Sequence, residues 1–421
     1  MDCIVINGGN SLKGEVSVSG SKNAALPIMV ATLLADGCHK ISGIPNLRDI
    51  NTLAKLLTHL GAEIHFNENM EVNVHNINVF DAPYELVRTM RASFLVIGPL
   101  IARFGKARVS LPGGCAIGVR PVDIHIKGLE AMGVKIDIDQ GYVTASCDEL
   151  KGAHISLDMP TVGGTENIIM TACLAKGTTV IENAAREPEI IDLVDALRTM
   201  GAKITGEGTG TITIEGVSKL NPLNYTVIPD RIEAGTFMVA AGITKGDIYI
   251  KNCPVKYMGA TIDKLRETGL VIEEENGLVH VSSSGKINSV EITTNPYPGF
   301  PTDMQAQMMA ILSIADGTST IRETIFENRF IHVAELDRLG ASIKVEHDTA
   351  IIGGVEKLNG ATVMATDLRA SASLILSGLV AEGKTTVLRV YHLDRGYDCL
   401  EEKLKLLGAD MYRTKEEEDD I

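Results

Sequence analysis

The sequence predicts an α/β fold built by repetition: two domains, each made of three units of about 70 residues. Two interleaved glycine series predict it. The first is an apolar helix tail, then Gly, then a β-branched run: HLGAEI at Gly61, AMGVKI at Gly133, TMGAKI at Gly201, ETGLVI at Gly269, RLGASI at Gly340 and LLGADM at Gly408. Their numbers differ by 72, 68, 68, 71 and 68. The second series keeps step with the first at Gly37, Gly105, Gly177, Gly246, Gly317 and Gly383. Glycines after apolar helical patterns are C-cap signals, because left-handed φ costs them least. The period exceeds that of the common solenoid repeats and suits a compact unit with two helices. A chain of 421 residues has room for two or three such domains, so six units divide most simply into two similar halves.

Each unit reads alike. A helix of about four turns ends at the Gly37-type glycine. A short strand follows, as in HKISGI, TTVIEN, STIRET and TTVLRV. A loop and a second helix run to the Gly61-type glycine, and a strand pair closes the unit. That pair often surrounds a turn such as Glu275-Asn276-Gly277. Gly206-Glu207-Gly208-Thr209-Gly210 looks like a nucleotide loop, but it lies between two β-rich runs with no helix after it, so it predicts a hairpin.

Counting back 14 or 15 residues from the second glycine series reaches the helix starts Lys22, Arg91, Gly163, Arg231, Asp303 and Arg369. A helix N-terminus carries free N–H groups and partial positive charge. A cation there gains nothing from the dipole, yet four of these six residues are cationic. The placement makes sense if the helix starts surround an anionic ligand. Asp303 also reads as an ordinary N-cap. The second loops add Arg48 with Asp49, Cys115 with Arg120, Arg186 with Glu187, Glu327-Asn328-Arg329 and Asp394 with Arg395, any of which also reads as a plain ion pair. The unit with Cys115 has the longest span between its two glycines, 28 residues against 23 to 25 elsewhere. Its run Leu111-Pro112-Gly113-Gly114-Cys115-Ala116-Ile117-Gly118-Val119-Arg120-Pro121-Val122-Asp123 forbids regular structure. It sets a thiol beside a guanidinium, and glycines at both flanks suit a loop that closes.

Composition narrows the function. A net charge of −15 argues against general binding to nucleic acid or anionic membrane, so any anion site is a local basic cluster. The seven cysteines are scattered, with no CxxC and no Cys/His metal spacing, which fits reduced thiols and argues against a disulfide frame, a zinc site or any metal cluster. No apolar run reaches membrane-spanning length, and MDCIVINGGN lacks the basic and apolar regions of a signal peptide. The expected location is cytoplasmic.

Several stretches together resemble one family along essentially the whole chain: Ser21-Lys22-Asn23-Ala24-Ala25-Leu26-Pro27, the Cys115 loop through Asp123, Glu182-Asn183-Ala184-Ala185-Arg186-Glu187-Pro188-Glu189, Phe300-Pro301-Thr302-Asp303-Met304-Gln305-Ala306-Gln307, Phe326-Glu327-Asn328-Arg329-Phe330 and Tyr391-His392-Leu393-Asp394-Arg395-Gly396-Tyr397. They resemble the enolpyruvyl transferases that act on UDP-N-acetylglucosamine in bacterial peptidoglycan synthesis. The resemblance implies two inside-out α/β domains with an active-site cleft between them. It also implies that the first strands cross over, giving domains of 22–229 and of 1–21 plus 230–421. The implied reaction moves enolpyruvyl from phosphoenolpyruvate to the 3′-hydroxyl of the nucleotide sugar by addition and elimination.

By that resemblance Lys22, Arg120 and Arg395 hold the phosphate with Arg91 nearby, and Arg329 and Arg369 hold the carboxylate. Cys115 is the general acid at C3, and Asp303 is the base or final proton acceptor. Asn23 and the run Arg120, Pro121, Val122, Asp123 and Ile124 contact the nucleotide sugar. Thr161, Val162 and Gly163 border the uridine and diphosphate, and Ile325 lines the sugar pocket. No cofactor, metal or obligate protein partner is implied. Met159 stands where some relatives carry a basic residue, so no diphosphate contact is assigned to it. Cys115, where some relatives carry Asp, implies alkylation by fosfomycin. The competing readings are the sister transferase acting on shikimate 3-phosphate, a catalytically silent paralogue that binds a UDP-sugar, and a purely structural repeat protein.

Overall fold

The computed structural model describes residues 2–113 and 122–416. These fall into two compact units. One takes residues 20–113 and 122–228, the other residues 2–19 and 229–416.

Six helices run through the cores: Lys22–Ala31, Ile97–Phe104, Val162–Ala172, Arg231–Ile243, Gln305–Leu312 and Leu368–Gly378. Most of their residues are buried. In Arg231–Ile243 only Arg231 is not buried, and in Lys22–Ala31 only Asn23 is not. A helix without a polar face belongs inside. Several of their hydroxyls bond back to the helix: Thr171 donates to the Asn167 carbonyl at 2.7 Å and Thr236 to Ile232 at 2.8 Å, as does Thr244, at the C-cap, to Ala240 at 2.7 Å. In one unit helices 231–243, 305–312 and 368–378 pack on each other. In the other, helix 97–104 packs on 162–172, and helix 22–31 packs on the turn at 91–96.

Around each helical centre stand three four-stranded sheets, six among the described residues. Each has one pattern, seen in His154–Ser156, Thr178–Glu182, Thr211–Glu215 and Lys203–Thr205. The short strand pairs in parallel (His154 opposite Val180), and the next two pair antiparallel (Thr178 opposite Glu215, Lys203 opposite Glu215). Buried and exposed residues alternate, so one face covers helix and the other meets solvent. Helices inside and sheets outside make each unit inside-out.

The chain enters the repeat part-way through, and distant segments complete three sheets. Asn224–Thr226 pairs in parallel with Gly37–Ser42. Lys13–Ser17 pairs in parallel with Asp247–Lys251. Asp2–Asn7 sits between Lys384–Leu388 and Asp410–Lys415, antiparallel to both.

Three expectations need correcting. The core α-helices are 8 to 13 residues long rather than four full turns. Arg91 and Asp303 lie in 3₁₀ turns, Arg91–Val96 and Thr302–Met304, that lead into their helices. Of the Gly37-type glycines only Gly105 caps its core α-helix; Gly37, Gly177, Gly317 and Gly383 take left-handed φ further along, past helices that end at Ala31, Ala172, Leu312 and Gly378, and beside Gly246 it is Lys245 that does so, at φ 53°. Gly246 is needed for space instead, since a Cβ there would lie 2.7 Å from the Leu12 carbonyl. Gly61, Gly133, Gly201, Gly269, Gly340 and Gly408 all have φ between 89° and 112°. Asn276 and Gly277, at φ 51° and 80°, turn the hairpin of Val271–Glu275 and Leu278–Ser282. The Gly206–Gly210 stretch likewise joins two antiparallel strands.

Candidate active site

Four of the six core helices start where a side chain caps them; Ile97–Phe104 and Gln305–Leu312 have no side-chain cap. Ser21 accepts from the Ala24 N–H, Thr161 from Gly164, and Asp230 from Ile232 and Glu233. Asp367 accepts from Arg369 at 2.8 Å and Ala370 at 3.0 Å. With the cap supplied by the preceding residue, the charges on Lys22, Arg231 and Arg369 are left for other work.

In the unit of residues 20–228, Lys22 is buried and its Nζ lies 3.2 Å from Asp49 Oδ2, with the Asp49 side chain 6% exposed. Asp49 thus pairs with Lys22 across 27 residues of sequence, as well as being a neighbour of Arg48. Asn23 follows, half-buried. Arg91 opens its 3₁₀ turn half-buried. Helix Asp123–Ala131 brings its first turn to the same region through His125. The His125 ring packs edge-on to Phe94 at 5.4 Å, and its Nδ1 lies 3.1 Å from Asn167 Nδ2. Burial, reinforced by the Arg91 charge, pushes His125 down to about 3 and keeps it neutral. A Cβ on Gly163 would stand 3.3 Å from the His125 ring, and one on Gly164 would stand 3.2 Å from the Ile124 side chain. The structure therefore brings Arg91 and Gly163 to one buried histidine and sets Ile124 against Gly164; Val122, Asp123, Thr161 and Val162 adjoin these residues along the chain. Cys115, Arg120 and Pro121 lie outside the described residues. Met159 is exposed.

The other unit builds a charge cluster. Arg329 Nη2 donates to Asp303 Oδ1 at 2.8 Å, and Arg369 Nη2 donates to Asp303 Oδ2 at 3.0 Å. The two guanidinium side chains are 4% and 2% exposed; the carboxylate is 27% exposed. Asp303 is therefore no N-cap. It is an accessible carboxylate held between two buried cations. Burial opposes the Arg369 charge, but Asp303, Tyr397 and Asp230 together raise its pKa above the ordinary value. Tyr397 packs under the guanidinium at 5.3 Å and is itself fixed by Gln307 at 3.0 Å and Thr236 at 3.1 Å. Tyr397 also hydrogen-bonds the Arg369 side chain. Two cations sharing one carboxylate keep an excess positive charge that suits a second anion.

Ile325 is half-buried and opens the loop to Arg329. Arg395 ends the turn Val390–Arg395, which packs on helix 368–378. The absence of a side chain at Gly396 permits this, since a Cβ would come 2.2 Å from Leu368. Asp394 is engaged by Arg413, with contacts of 2.6 and 3.1 Å. The sequence reading missed Tyr397 and His125 as supports and Asp49 as the partner of Lys22. All three act across large separations, for which linear sequence carries no signal. It also named no metal cluster, whereas Glu273, Glu275 and His280 come within ligand distance of one another on an exposed hairpin. His280 Nε2 there meets Asp247 at 2.7 Å.

No helix among the described residues is long and apolar enough to cross a membrane. Known proteins match this architecture over its full length. A UDP-N-acetylglucosamine 1-carboxyvinyltransferase of Geotalea uraniireducens (strain Rf4) is 57% identical over 417 residues, covering 99% of this chain and 100% of its own. One of Trichlorobacter lovleyi is 58% identical over 418 residues, with 99% and 100% coverage. The crystal structure of the enolpyruvyl transferase NikO from Streptomyces tendae superposes with a TM-score of 0.89 at 27% identity, covering 98% of this chain and 99% of that one. An EPSP synthase from Acinetobacter baumannii shares the fold, at a TM-score of 0.78 and 20% identity. The family model described as EPSP synthase (3-phosphoshikimate 1-carboxyvinyltransferase) matches residues 6–404. On that near-complete match, and on the six-fold frame that carries it, the chain belongs to the EPSP synthase family of enolpyruvyl transferases.

Proposed function

We propose that this enzyme transfers the enolpyruvyl group of phosphoenolpyruvate to the 3′-hydroxyl of UDP-N-acetylglucosamine and releases phosphate, the first committed step of peptidoglycan synthesis in the cytoplasm. The observation that carries the reading is the Arg329–Asp303–Arg369 cluster, and the full-length relatives support the choice of acceptor. The donor bears a phosphate and a carboxylate. Arg329 and Arg369 bind the carboxylate. Lys22, Arg120 and Arg395 bind the phosphate, with Arg91 beside them. Asn23, Arg120 to Ile124, Thr161 to Gly163 and Ile325 hold the nucleotide sugar.

The reaction then needs one base and one acid. Asp303 takes the hydroxyl proton as the sugar oxygen bonds to C2 of phosphoenolpyruvate, and Cys115 delivers a proton to C3. A thiol near its reference pKa of about 8.5 is mostly protonated at neutral pH and suits that task. Loss of one proton from the new methyl group and cleavage of the C2–O bond to phosphate then give the enolpyruvyl ether and free phosphate. Every step uses only side chains and the two substrates.

Phosphate release from phosphoenolpyruvate, measured with each acceptor in turn, tests the reading. Release with UDP-N-acetylglucosamine is expected. Release with shikimate 3-phosphate alone would assign the sister activity, and release with neither would leave a silent binder. Fosfomycin is expected to alkylate Cys115, and Cys115→Asp to remain active while losing the label. Labelling that persists in the variant would sink that assignment.

A further inference from the structure

Glu323 follows the strand Thr318–Arg322, and none of the roles above uses it. It is 4% exposed. Its Oε1 accepts from the Ile325 N–H at 2.9 Å, the Phe326 N–H at 3.2 Å and the Thr294 hydroxyl at 2.9 Å. Its Oε2 accepts from the Thr302 hydroxyl at 2.8 Å. Thr324 completes the knot, donating its N–H to Thr294 Oγ1 at 2.9 Å and its hydroxyl to the Thr294 carbonyl at 2.6 Å. One carboxylate therefore grips the residue before Asp303 and also the first residues of the loop that ends in Arg329. These two segments meet again in the 2.8 Å contact between Arg329 and Asp303.

The repeat shows that the scaffold does not demand this arrangement. Six residues beyond each Gly37-type glycine stand Gly43, Leu111, Asn183, Asn252, Glu323 and Arg389. Gly43, Asn183, Asn252 and Arg389 leave their strand through a left-handed residue, with φ of 73°, 55°, 55° and 57°. Leu111 and Glu323 do not. Leu111 opens the run that leads to Cys115; Glu323 opens the run that leads to Arg329. The common exit is abandoned in the two runs that lead to Cys115 and Arg329 and kept in the one that leads to Arg395. A buried carboxylate is costly unless its oxygens are hydrogen-bonded, and here four donors converge on it.

We infer that Glu323 is a positioning residue for the reaction. It holds the Asp303 turn and the Arg329 loop in one fixed relation, so that the base and the carboxylate anchor keep their mutual geometry during turnover. The inference rests on the proposed function. It is tested with Glu323→Gln, whose amide places an N–H₂ where an acceptor is needed, with Thr302→Val and Thr302→Ser, and with the double variant Glu323→Gln/Thr302→Val. Phosphate release by the parent enzyme, with phosphoenolpyruvate and UDP-N-acetylglucosamine, is the control.

Glu323→Gln and Thr302→Val are expected to lower kcat by about 10- to 100-fold. KM for phosphoenolpyruvate is expected to stay within about threefold, with thermal midpoints close to the parent's, because the substrate-holding charges remain in place. Thr302→Ser, which keeps the hydroxyl, brings kcat back to within about twofold of the parent, and the double variant is no slower than Glu323→Gln alone, as for two groups acting through one contact. Full kcat in Thr302→Val, multiplicative losses in the double variant, or a loss of activity in Glu323→Gln that merely follows a lowered thermal midpoint would each overturn the inference while the parent still turned over. An inactive parent overturns the functional reading and this inference with it.

Discussion

A carboxylate between two buried guanidiniums is expensive to assemble, because each ion must be drawn out of water. Asp303 repays this in two ways: it neutralises part of the charge on Arg329 and Arg369, and its 27% exposure leaves it reachable. Asp303→Ala is therefore expected to lower kcat by at least about 100-fold, while nucleotide-sugar binding by calorimetry changes by less than about threefold. A collapse of binding would make Asp303 chiefly a structural counter-ion. Glu166 carries a different signature. Burial, helped by Glu189 and Glu187, raises its pKa from 4.5 to about 8, so the native state holds a proton there that the unfolded chain releases. That contribution is complete below about pH 4.5 and is lost as pH climbs to about 8. Denaturant titrations should show Glu166→Gln flattening the decline over that window, by up to about 1.4 kcal/mol per pH unit. An unchanged slope would mean that Glu166 is ionised in the fold. The sequence marked Lys22, Arg91, Asp303 and Arg369 through their shared place in the repeat. It did not mark Glu166 or Glu323, whose chemistry comes from burial and not from a motif.

At the scale of elements, the repeat dictates where helices start and stop, and close packing dictates which glycines are irreplaceable. Gly98 is the sharpest case. A Cβ there would fall 2.1 Å from Asn167 Oδ1 and 2.5 Å from Thr171 Oγ1 on the neighbouring helix. Gly98→Ala is expected to destabilise the protein by about 1–3 kcal/mol in urea unfolding, as overpacking does. It is also expected to disturb His125, which Asn167 supports. A neutral result would show that the two helices part at little cost. The glycine pattern made the elements legible before any coordinates, since φ above 80° at Gly61, Gly133, Gly201, Gly269, Gly340 and Gly408 is a local requirement. It misjudged Gly246, because a glycine kept for close approach and one kept for left-handed φ look identical in sequence. It also missed the 3₁₀ openings at Arg91 and Asp303, which local propensity does not separate from the first turn of an α-helix.

For the molecule as a whole, buried ionisable groups set a stability curve with two falling sides. Burial drives His39 down to about 4 and His125 to about 3, and it lowers His332 as well. These histidines stay neutral in the fold, so their contribution is present above the ordinary value of 6.5 and is lost as pH falls below it. Glu166, with Glu233 raised to about 7 and Asp192 to about 6, mainly by burial, erodes stability from the other side as pH rises. Between about pH 4.5 and 6 the three histidines and the three acids oppose one another, so thermal midpoints should change little there, falling below about pH 4.5 and again above about pH 6.5. A steady fall in the midpoint from about pH 4.5 to 6 would contradict the neutral histidines. The sequence by itself determined the six-fold α/β repeat, the helix starts and the cationic residues placed at them, because capping, periodicity and charge are properties of neighbours along the chain. The resemblance implied that residues 1–21 join the second domain, but the tertiary structure alone decided which strands Asp2–Asn7 and Lys13–Ser17 pair with. It alone decided that Asp49 answers Lys22, that Asp303 is shared by two arginines, and that Glu323 ties two loops together. Those pairings depend on desolvation and on the meeting of atoms far apart in sequence, and a one-dimensional pattern encodes neither.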